Sequence, residues 1–349
     1  MDSLNARIPH RAGWRGDALS KRMITVDLGA DQVDAIASLM QRIRAKQIAY
    51  QAVGREDFSH PALDDLLKDF LHQLRSGPGI AVLRGIPVDH YPLHEIETIY
   101  WGIGTHFGDA VSQSAAGDLL GHVTDKSDPQ SGKVGRGYQS ARELRMHTDS
   151  AETAGLLCVR AARVGGANVF ASALHVYEVI ARERADCLAV LERGFPYHRR
   201  GEGAADAEAI TPYNVPVFSH SNGLTSCRFA EELFRAAFDA LGHELTRLER
   251  DALELFNDVA LRPGVRFDLV LEPGEAVFLN NYETLHSRTA FEDWAEPESR
   301  RLLLRLWLQG RPPRALRREM HAYQNKDGRQ GIDHQPGREP GKVGYGVIR

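Results

Sequence analysis

Two residues with complementary chemistry lie close together in Met146-His147-Thr148-Asp149-Ser150, which contains the one His-x-Asp/Glu triplet of the sequence. On a strand, residues two apart share a face, so His147 and Asp149 are expected to project into one cavity. An imidazole beside a carboxylate supplies two of the three ligands of the facial site that holds non-haem Fe(II). About two such triplets are expected by chance in this composition, so an incidental ion pair on a surface strand explains the motif equally well.

His286 is the candidate for a third ligand. It follows two alternating apolar runs, residues 266–271 and 276–279, which flank a Pro-Gly turn and are predicted to pair as strands. The chain has 15 histidines and only three cysteines. A metal in this protein is therefore expected to have imidazole and carboxylate ligands rather than thiolates.

A predicted last strand, residues 301–308, carries two arginines among apolar residues. Strand periodicity places Arg301, Leu303, Arg305 and Trp307 on one face, and we expect Trp307 to be a core residue. An arginine on the inside of an apolar barrel must meet an anion, because an unpaired buried charge is costly. Its planar guanidinium suits a carboxylate, which it can bind through two parallel hydrogen bonds.

The rest of the pattern predicts helices and strands without βαβ alternation or internal repeats. Strands gather on both sides of a helical insertion, which favours a β-sandwich or barrel decorated by helices. Thr246 and Glu249 form a capping-box pattern at the start of the last helix. Predicted helices cover 31–47, 63–74, 93–107, 173–193, 229–241 and 244–258, and further predicted strands cover 80–83, 156–161 and 168–171.

Taken in order, these motifs resemble the TauD/TfdA family of Fe(II)- and 2-oxoglutarate-dependent dioxygenases. The resemblance covers residues 79–308 and implies a mainly β fold with α, in which helices decorate a double-stranded β-helix (jelly-roll, cupin-like) core. It implies that His147, Asp149 and His286 are the iron ligands. The residues that carry it are Ile80-Ala81-Val82-Leu83-Arg84-Gly85-Ile86-Pro87, His147-Thr148-Asp149-Ser150, Gly165-Gly166, Pro273-Gly274, Asn280-Asn281, His286 and Arg300 to Arg305.

The resemblance also implies how the cosubstrate 2-oxoglutarate is held. The first of two arginines four apart, Arg301, matches the residue that grips the distal carboxylate, and Arg305 would lie nearer the iron, against the cosubstrate or an acidic group of the substrate. The two roles could be exchanged. Asn168 stands where some members of the family have a threonine that assists the same carboxylate, and as a hydrogen-bond donor it is a candidate for that contact.

A 2-oxoglutarate oxygenase consumes O2 and releases succinate and CO2, and its usual outcome is hydroxylation. Related halogenases lack the carboxylate ligand, so Asp149 favours hydroxylation. Desaturation, cyclisation or epoxidation by the same iron site in a biosynthetic pathway is the alternative. Two other classes stay open: a jelly-roll hydrolase or isomerase with Zn2+ at the same ligands, and a non-catalytic binding or sensor protein.

Two polar residues are candidates for contacts at the mouth of the cavity. Gln113 and Tyr138 lie in a Gly- and Ser-rich stretch, residues 108–146, whose lack of periodicity predicts an irregular segment that lines the site. The mixed charges of this stretch fit an amino acid or a small organic acid as substrate. We expect the partner to be such a small molecule, with homo-oligomerisation left open.

Composition and charge exclude other functions for the 349 residues. The formal charge of −4 argues against nucleic-acid binding, and no run approaches the roughly 20 apolar residues of a membrane span. The first residues lack the apolar core of a secretion signal, which predicts a cytoplasmic protein. We expect one domain over residues 1–310 and a basic extension over 311–349, in which nine basic and four acidic residues give +5.

Overall fold

The computed structural model describes residues 13–125, 140–204, 207–323, 329–335 and 337. Tyr138 lies outside these residues. The helices in the described residues are α1 (Lys21–Ile24), α2 (Ala30–Lys46), α3 (Pro61–Ser76), α4 (Leu93–Thr105), α5 (Ala173–Glu183), α6 (Ala185–Arg193), α7 (Glu231–Leu241) and α8 (Arg247–Leu261). None of the helices in this part of the chain is both long and apolar enough to cross a membrane.

Strands alternate with these helices along the chain and form several sheets. They are β1 (Thr25–Asp27), β2 (Ile80–Arg84), β3 (Asp109–Ala110), β4 (Leu120–Val123), β5 (Leu144–His147), β6 (Thr153–Arg160), β7 (Val164–Gly165), β8 (Asn168–Ser172), β9 (Phe218–Ser221), β10 (Leu224–Cys227), β11 (Arg266–Leu269), β12 (Glu275–Asn280), β13 (Thr284–Arg288), β14 (Phe291–Glu292) and β15 (Leu302–Gln309).

Two sheets position the functional residues. The large sheet has the order β1-β2-β12-β6-β15-β3, with β4 also paired to β15, and the small sheet has the order β11-β8-β13-β5. The predicted pairing across the Pro-Gly turn is wrong, because β11 pairs with β8 in the small sheet and β12 with β2 and β6 in the large one. Apart from the parallel pair β1–β2, the strands of both sheets are antiparallel. The two faces that meet share an apolar cluster in which Phe170 and Leu269 of the small sheet join Val277 and Leu303 of the large one.

Helices cover the outer faces of both sheets. Helices α2, α3 and α4 bury Phe278 and Leu304 on the outside of the large sheet, whereas α5, α6 and α8 bury Val169 and Leu285 on the outside of the small one. Each strand thus alternates between a helix-covered face and a face that looks across to the other sheet. The mixture of helices and sheets agrees with the fold class expected from the sequence at this coarser level.

Local chemistry explains where several helices begin and end. The predicted capping box is present at α8, where the Thr246 hydroxyl accepts from the Glu249 amide and the Glu249 carboxylate accepts from the Thr246 amide. The single helix predicted over 173–193 is wrong, because Arg184 has φ −148° and ψ 76° and divides it into α5 and α6. The break lets both helices pack on α8.

Candidate active site

The three predicted metal ligands meet between the two sheets. His147 ends β5 and is the cross-strand partner of His286 in the middle of β13, so the centroids of their rings lie 4.2 Å apart. The Asp149 carboxylate lies beside both, with Oδ1 3.9 Å from Nε2 of His147 and Oδ2 3.5 Å from Nε2 of His286. One ligand atom from each residue lies within 4.8 Å of the others, an arrangement that can hold one metal ion.

The position of Asp149 depends on a loop rather than on a strand. The expectation that His147 and Asp149 share a strand face is wrong, since β5 ends at His147. Asn281, in the turn between β12 and β13, holds the following loop: its Oδ1 accepts from the Asp149 amide at 2.9 Å, and its Nδ2 donates to the carbonyls of Asp149 and Ala151, both at 2.7 Å. Asn281 is fully buried, so these bonds have no water to compete with them.

The protonation states fit a metal site. Nδ1 of His147 lies 2.8 Å from the Arg145 carbonyl, which can only accept, so Nδ1 carries the proton and Nε2 keeps its lone pair. Burial, together with the charge of His286, lowers the pKa of His147 to about 4. Burial opposes ionisation of Asp149, but the charge of Arg305 and the interactions with His286 hold its pKa well below the usual value. A neutral imidazole and an ionised carboxylate are the forms that bind a metal.

Trp307 contacts the carboxylate of Asp149, although the sequence suggested only a core role. The indole Nε1 donates to Oδ2 of Asp149 at 2.8 Å, and the guanidinium of Arg305 lies over the same ring at 4.8 Å. A buried indole N–H usually finds a partner, and here the partner is a candidate ligand atom. The alternation of β15, which places Trp307 on the face of Arg305, was the available signal.

Gln113 fixes Arg305 from behind. Oε1 of Gln113 accepts from Nε of Arg305 at 2.7 Å, and its Nε2 donates to the Arg305 carbonyl at 2.7 Å. Nη1 of Arg305 lies 4.0 Å from Oδ1 of Asp149. Gln113 lines the cavity, but its side-chain amide bonds Leu119 and Arg305 within the protein. Of Arg301 and Arg305, it is therefore Arg305 that lies nearer to the ligand cluster.

Arg301, just before β15, lies deeper and has unused capacity. It is 3% exposed, its Nη1 has no hydrogen-bond partner, and burial lowers its pKa. Gly166 passes beside it with a φ of +73°, and a side chain there would come within 3.4 Å of Nε of Arg301, so the second glycine of the Gly-Gly pair leaves room for the guanidinium. Asn168 lines the same cavity, with Nδ2 3.5 Å from the Leu269 carbonyl.

The cavity has a volume of about 330 Å3 and extends beyond the ligand cluster. Tyr197, Arg200 and Glu202 line its far side together with Tyr323 and Ile332 of the C-terminal segment. That segment is fastened beside the site, because the Gly331 amide donates to the Ser150 carbonyl at 2.7 Å and the Ile332 amide to that of Ser112 at 2.9 Å. The sequence of residues 311–349 predicted only a basic extension and gave no indication that it lines the cavity.

Comparison with known proteins agrees with this geometry. The family model described as taurine catabolism dioxygenase TauD, TfdA family, matches residues 44–307. FR-33289 synthase of Streptomyces rubellomurinus is 31% identical over 277 residues, which cover 78% of this chain and 81% of that protein. The taurine hydroxylase-like protein SAT17 of Stachybotrys chartarum is 26% identical over 267 residues, 72% of this chain and 66% of that protein.

Solved structures share the fold at low sequence identity. Asparagine oxygenase in complex with Fe(II), 2S,3S-3-hydroxyasparagine and succinate superposes with a TM-score of 0.65 at 16% identity, covering 86% of this chain and 98% of that one. The non-haem iron oxygenase OrfP in complex with Fe and alpha-ketoglutaric acid gives a TM-score of 0.57 at 17% identity, covering 81% and 93%.

Proposed function

This chain belongs to the TauD/TfdA family of dioxygenases, and from that membership we propose that it hydroxylates a C–H bond of a small amino acid or organic acid. It is an enzyme, a 2-oxoglutarate-dependent non-haem iron oxygenase. The observation that carries the assignment to these residues is the cluster of His147, Asp149 and His286 in a cavity whose wall includes the buried, incompletely bonded Arg301. Two imidazoles and one carboxylate are the ligand set of non-haem Fe(II) oxygenases.

In this proposal His147, Asp149 and His286 would hold Fe(II), Trp307 orients the Asp149 carboxylate, and Asn281 holds the Asp149 backbone. Bound Fe(II) and 2-oxoglutarate supply the oxidising power that inserts one oxygen atom of O2 into the substrate, with succinate and CO2 as the other products. The protein positions the reactants and keeps Asp149 ionised, for which the positive charge of Arg305 is responsible in part.

Arg301 is proposed to bind the distal carboxylate of 2-oxoglutarate. A buried guanidinium with an unpaired N–H needs an anion, and a carboxylate matches its planar fork. Arg305 is less suited to that role because Gln113 and Asp149 already occupy its surroundings. Asn168 lines the same region and is proposed as a weaker contact, since its amide has only a long hydrogen bond.

The substrate is proposed to bind between the ligand cluster and the C-terminal segment. Charges of both signs line this part of the cavity, from Arg200, Glu202 and Glu232, and suit a zwitterion or a small acid. The solved complexes of relatives with the fold contain 3-hydroxyasparagine or L-Arg, which supports an amino-acid-like substrate. Gln113 and Tyr138, the substrate contacts expected from the sequence, stay predictions.

Three broader expectations accompany this function. We propose that the facing sheets form a double-stranded β-helix, supported by their antiparallel order and shared cluster. We also propose one domain over residues 1–310 with its core at 79–308, followed by the basic segment. A cytoplasmic location and possible homo-oligomerisation remain predictions from the sequence.

The test is succinate formation from 2-oxoglutarate with Fe(II) and O2, first alone and then with a panel of amino acids, their acyl derivatives and sulfonates. We expect slow turnover without substrate and stimulation by at least one panel member. Absence of both turnover and 2-oxoglutarate binding would contradict the proposal. Arg301→Ala is expected to weaken 2-oxoglutarate binding by roughly 10- to 100-fold, and unchanged binding would remove Arg301 from its role.

A further inference from the structure

A second arginine, Arg288, lies against the same part of the cavity as Arg301. Arg288 ends β13, two residues after His286, so strand alternation turns both toward the cavity that they line. Its cross-strand partner in the small sheet is Asn168, which lines the cavity as well. Arg288 was not a candidate from the sequence, because a lone arginine among polar residues matches no motif.

The two guanidiniums share one aromatic ring. The Cζ atom of Arg288 lies 4.8 Å from the centroid of the Phe291 ring, and that of Arg301 lies 5.0 Å from the same centroid. Both side chains are buried, at 4% and 3% exposed. Contact with an aromatic face attracts a cation but does not satisfy its N–H groups, so the ring alone does not account for two buried charges in one place.

Each guanidinium has an N–H group without a partner. Nη2 of Arg288 donates to the carbonyls of Ser140 and Arg142, but its Nε has no hydrogen bond, and neither has Nη1 of Arg301. Among the described residues neither guanidinium makes an ion pair, although the charge of Asp125 acts on Arg288 and that of Asp293 acts on Arg301.

We propose that Arg288 is a second binding residue for the distal carboxylate of 2-oxoglutarate, with Nε of Arg288 and Nη1 of Arg301 both donating to it. The inference rests on the proposed function. It explains why two like charges are retained next to each other: a carboxylate between them satisfies both orphaned N–H groups and relieves their repulsion. It also makes β13 a shared support, with His286 for the metal and Arg288 for the cosubstrate.

The experiment measures anaerobic binding of 2-oxo acids to the Fe(II) protein by the visible charge-transfer absorption of the complex. Arg288→Gln, Arg288→Lys and the control Arg163→Gln are compared with the unmodified protein. Arg163 is a half-exposed arginine of the neighbouring β7 region that pairs with Glu292. Two ligands are titrated: 2-oxoglutarate and 2-oxopentanoate, which has the same chain length without the distal carboxylate.

The expected result is a selective loss. Arg288→Gln weakens 2-oxoglutarate binding by roughly 10- to 100-fold and leaves 2-oxopentanoate binding within about twofold, Arg288→Lys falls between, and Arg163→Gln changes neither. Equal weakening for both acids would overturn the inference, since it would assign Arg288 only to holding the Ser140–Arg142 loop. Unchanged binding of both would overturn it as well.

The two levels of the proposal fail differently. If the unmodified protein gives no charge-transfer complex with 2-oxoglutarate, the proposed function is wrong and the inference falls with it. If the unmodified protein binds normally and the Arg288 variants bind normally too, only the inference is wrong. If Arg288→Gln does not fold, Arg288→Lys tests the inference instead. The ratio of its affinities for 2-oxoglutarate and 2-oxopentanoate, compared with the same ratio in the unmodified protein, shows whether the loss is specific to the distal carboxylate.

Discussion

At the scale of single residues, the orientation of the candidate ligands depends on groups that contact them on the side away from the metal position. Asp149 receives the indole N–H of Trp307, while Arg305, aligned by Gln113, supplies positive charge nearby. His147 is oriented by a backbone carbonyl. Such partners fix the direction of a ligand's lone pairs, and their removal typically weakens metal binding without abolishing it.

Trp307→Phe tests this support. The substitution keeps an aromatic ring under Arg305 but removes the N–H that donates to Asp149 Oδ2, so the carboxylate becomes less well oriented. We expect the affinity for Fe(II) to fall by about 10- to 100-fold, measured by titration under anaerobic conditions. Trp294→Phe, at an exposed tryptophan, is the matched control and should leave the affinity unchanged. An unchanged affinity in Trp307→Phe would argue that the indole is a packing residue only.

At the scale of elements, the site joins strand ends and turns of both sheets. The small sheet brings β5 and β13 side by side, which pairs the two histidines, whereas the β12–β13 turn brings Asn281 to the loop after β5. The Asp149 carboxylate is thus held beside the histidines by the side chain of Asn281, which lies 132 residues farther along the chain. Register and turn together define the ligand geometry.

Asn281→Ala is expected to loosen this loop. It leaves the Asp149 amide and the carbonyls of Asp149 and Ala151 without their partners in a buried position. We expect the free energy of unfolding, measured with urea, to fall by about 3 kcal/mol, with a loss of Fe(II) affinity as well. Asn281→Asp keeps the size and the acceptor, but it places a buried carboxylate oxygen against the carbonyls of Asp149 and Ala151 and should therefore destabilise the protein at least as much as the alanine variant. Stability and metal affinity equal to those of the unmodified protein would contradict the assignment.

At the scale of the whole molecule, the C-terminal segment that follows residue 310 packs beside the site and forms part of the cavity wall. Arg314 makes a buried ion pair with Glu283 at 2.8 Å and donates to the Thr225 carbonyl, and Tyr323 and Ile332 farther along line the cavity. The match to the family model ends at residue 307, so this wall lies outside the matched region. The described residues of this segment therefore pack against the domain and supply part of the cavity wall.

Arg314→Met is expected to destabilise the molecule. The change leaves the buried Glu283 carboxylate with the Asn280 amide but without its cation. Breaking one partner of a buried pair typically costs about 3–5 kcal/mol, which urea unfolding should reveal. Arg317→Met, an exposed arginine of the same segment that pairs with Glu319, should cost less than about 1 kcal/mol. Similar small losses in both variants would contradict a structural role for the Arg314 pair.

The sequence by itself determined the types of the reacting groups and the strand that carries Arg305 and Trp307, but neither β13, which carries His286, nor the loop that carries Asp149. The His147-x-Asp149 spacing, His286 and the alternation of Arg301, Arg305 and Trp307 were readable because they depend on local spacing. The helices around the sheets were readable as well, apart from the break at Arg184, where one residue leaves the helical conformation without a glycine or proline to signal it.

Only the tertiary structure decided which distant residues meet. Asn281 at the Asp149 loop, Arg288 beside Arg301 and the C-terminal wall at Tyr323 and Ile332 join segments far apart in the chain. No local pattern marks them, because their roles come from strand register and from buried polar groups finding partners across the fold. The sequence thus determined the chemistry, and packing decided which residues orient the metal ligands and enclose the cavity.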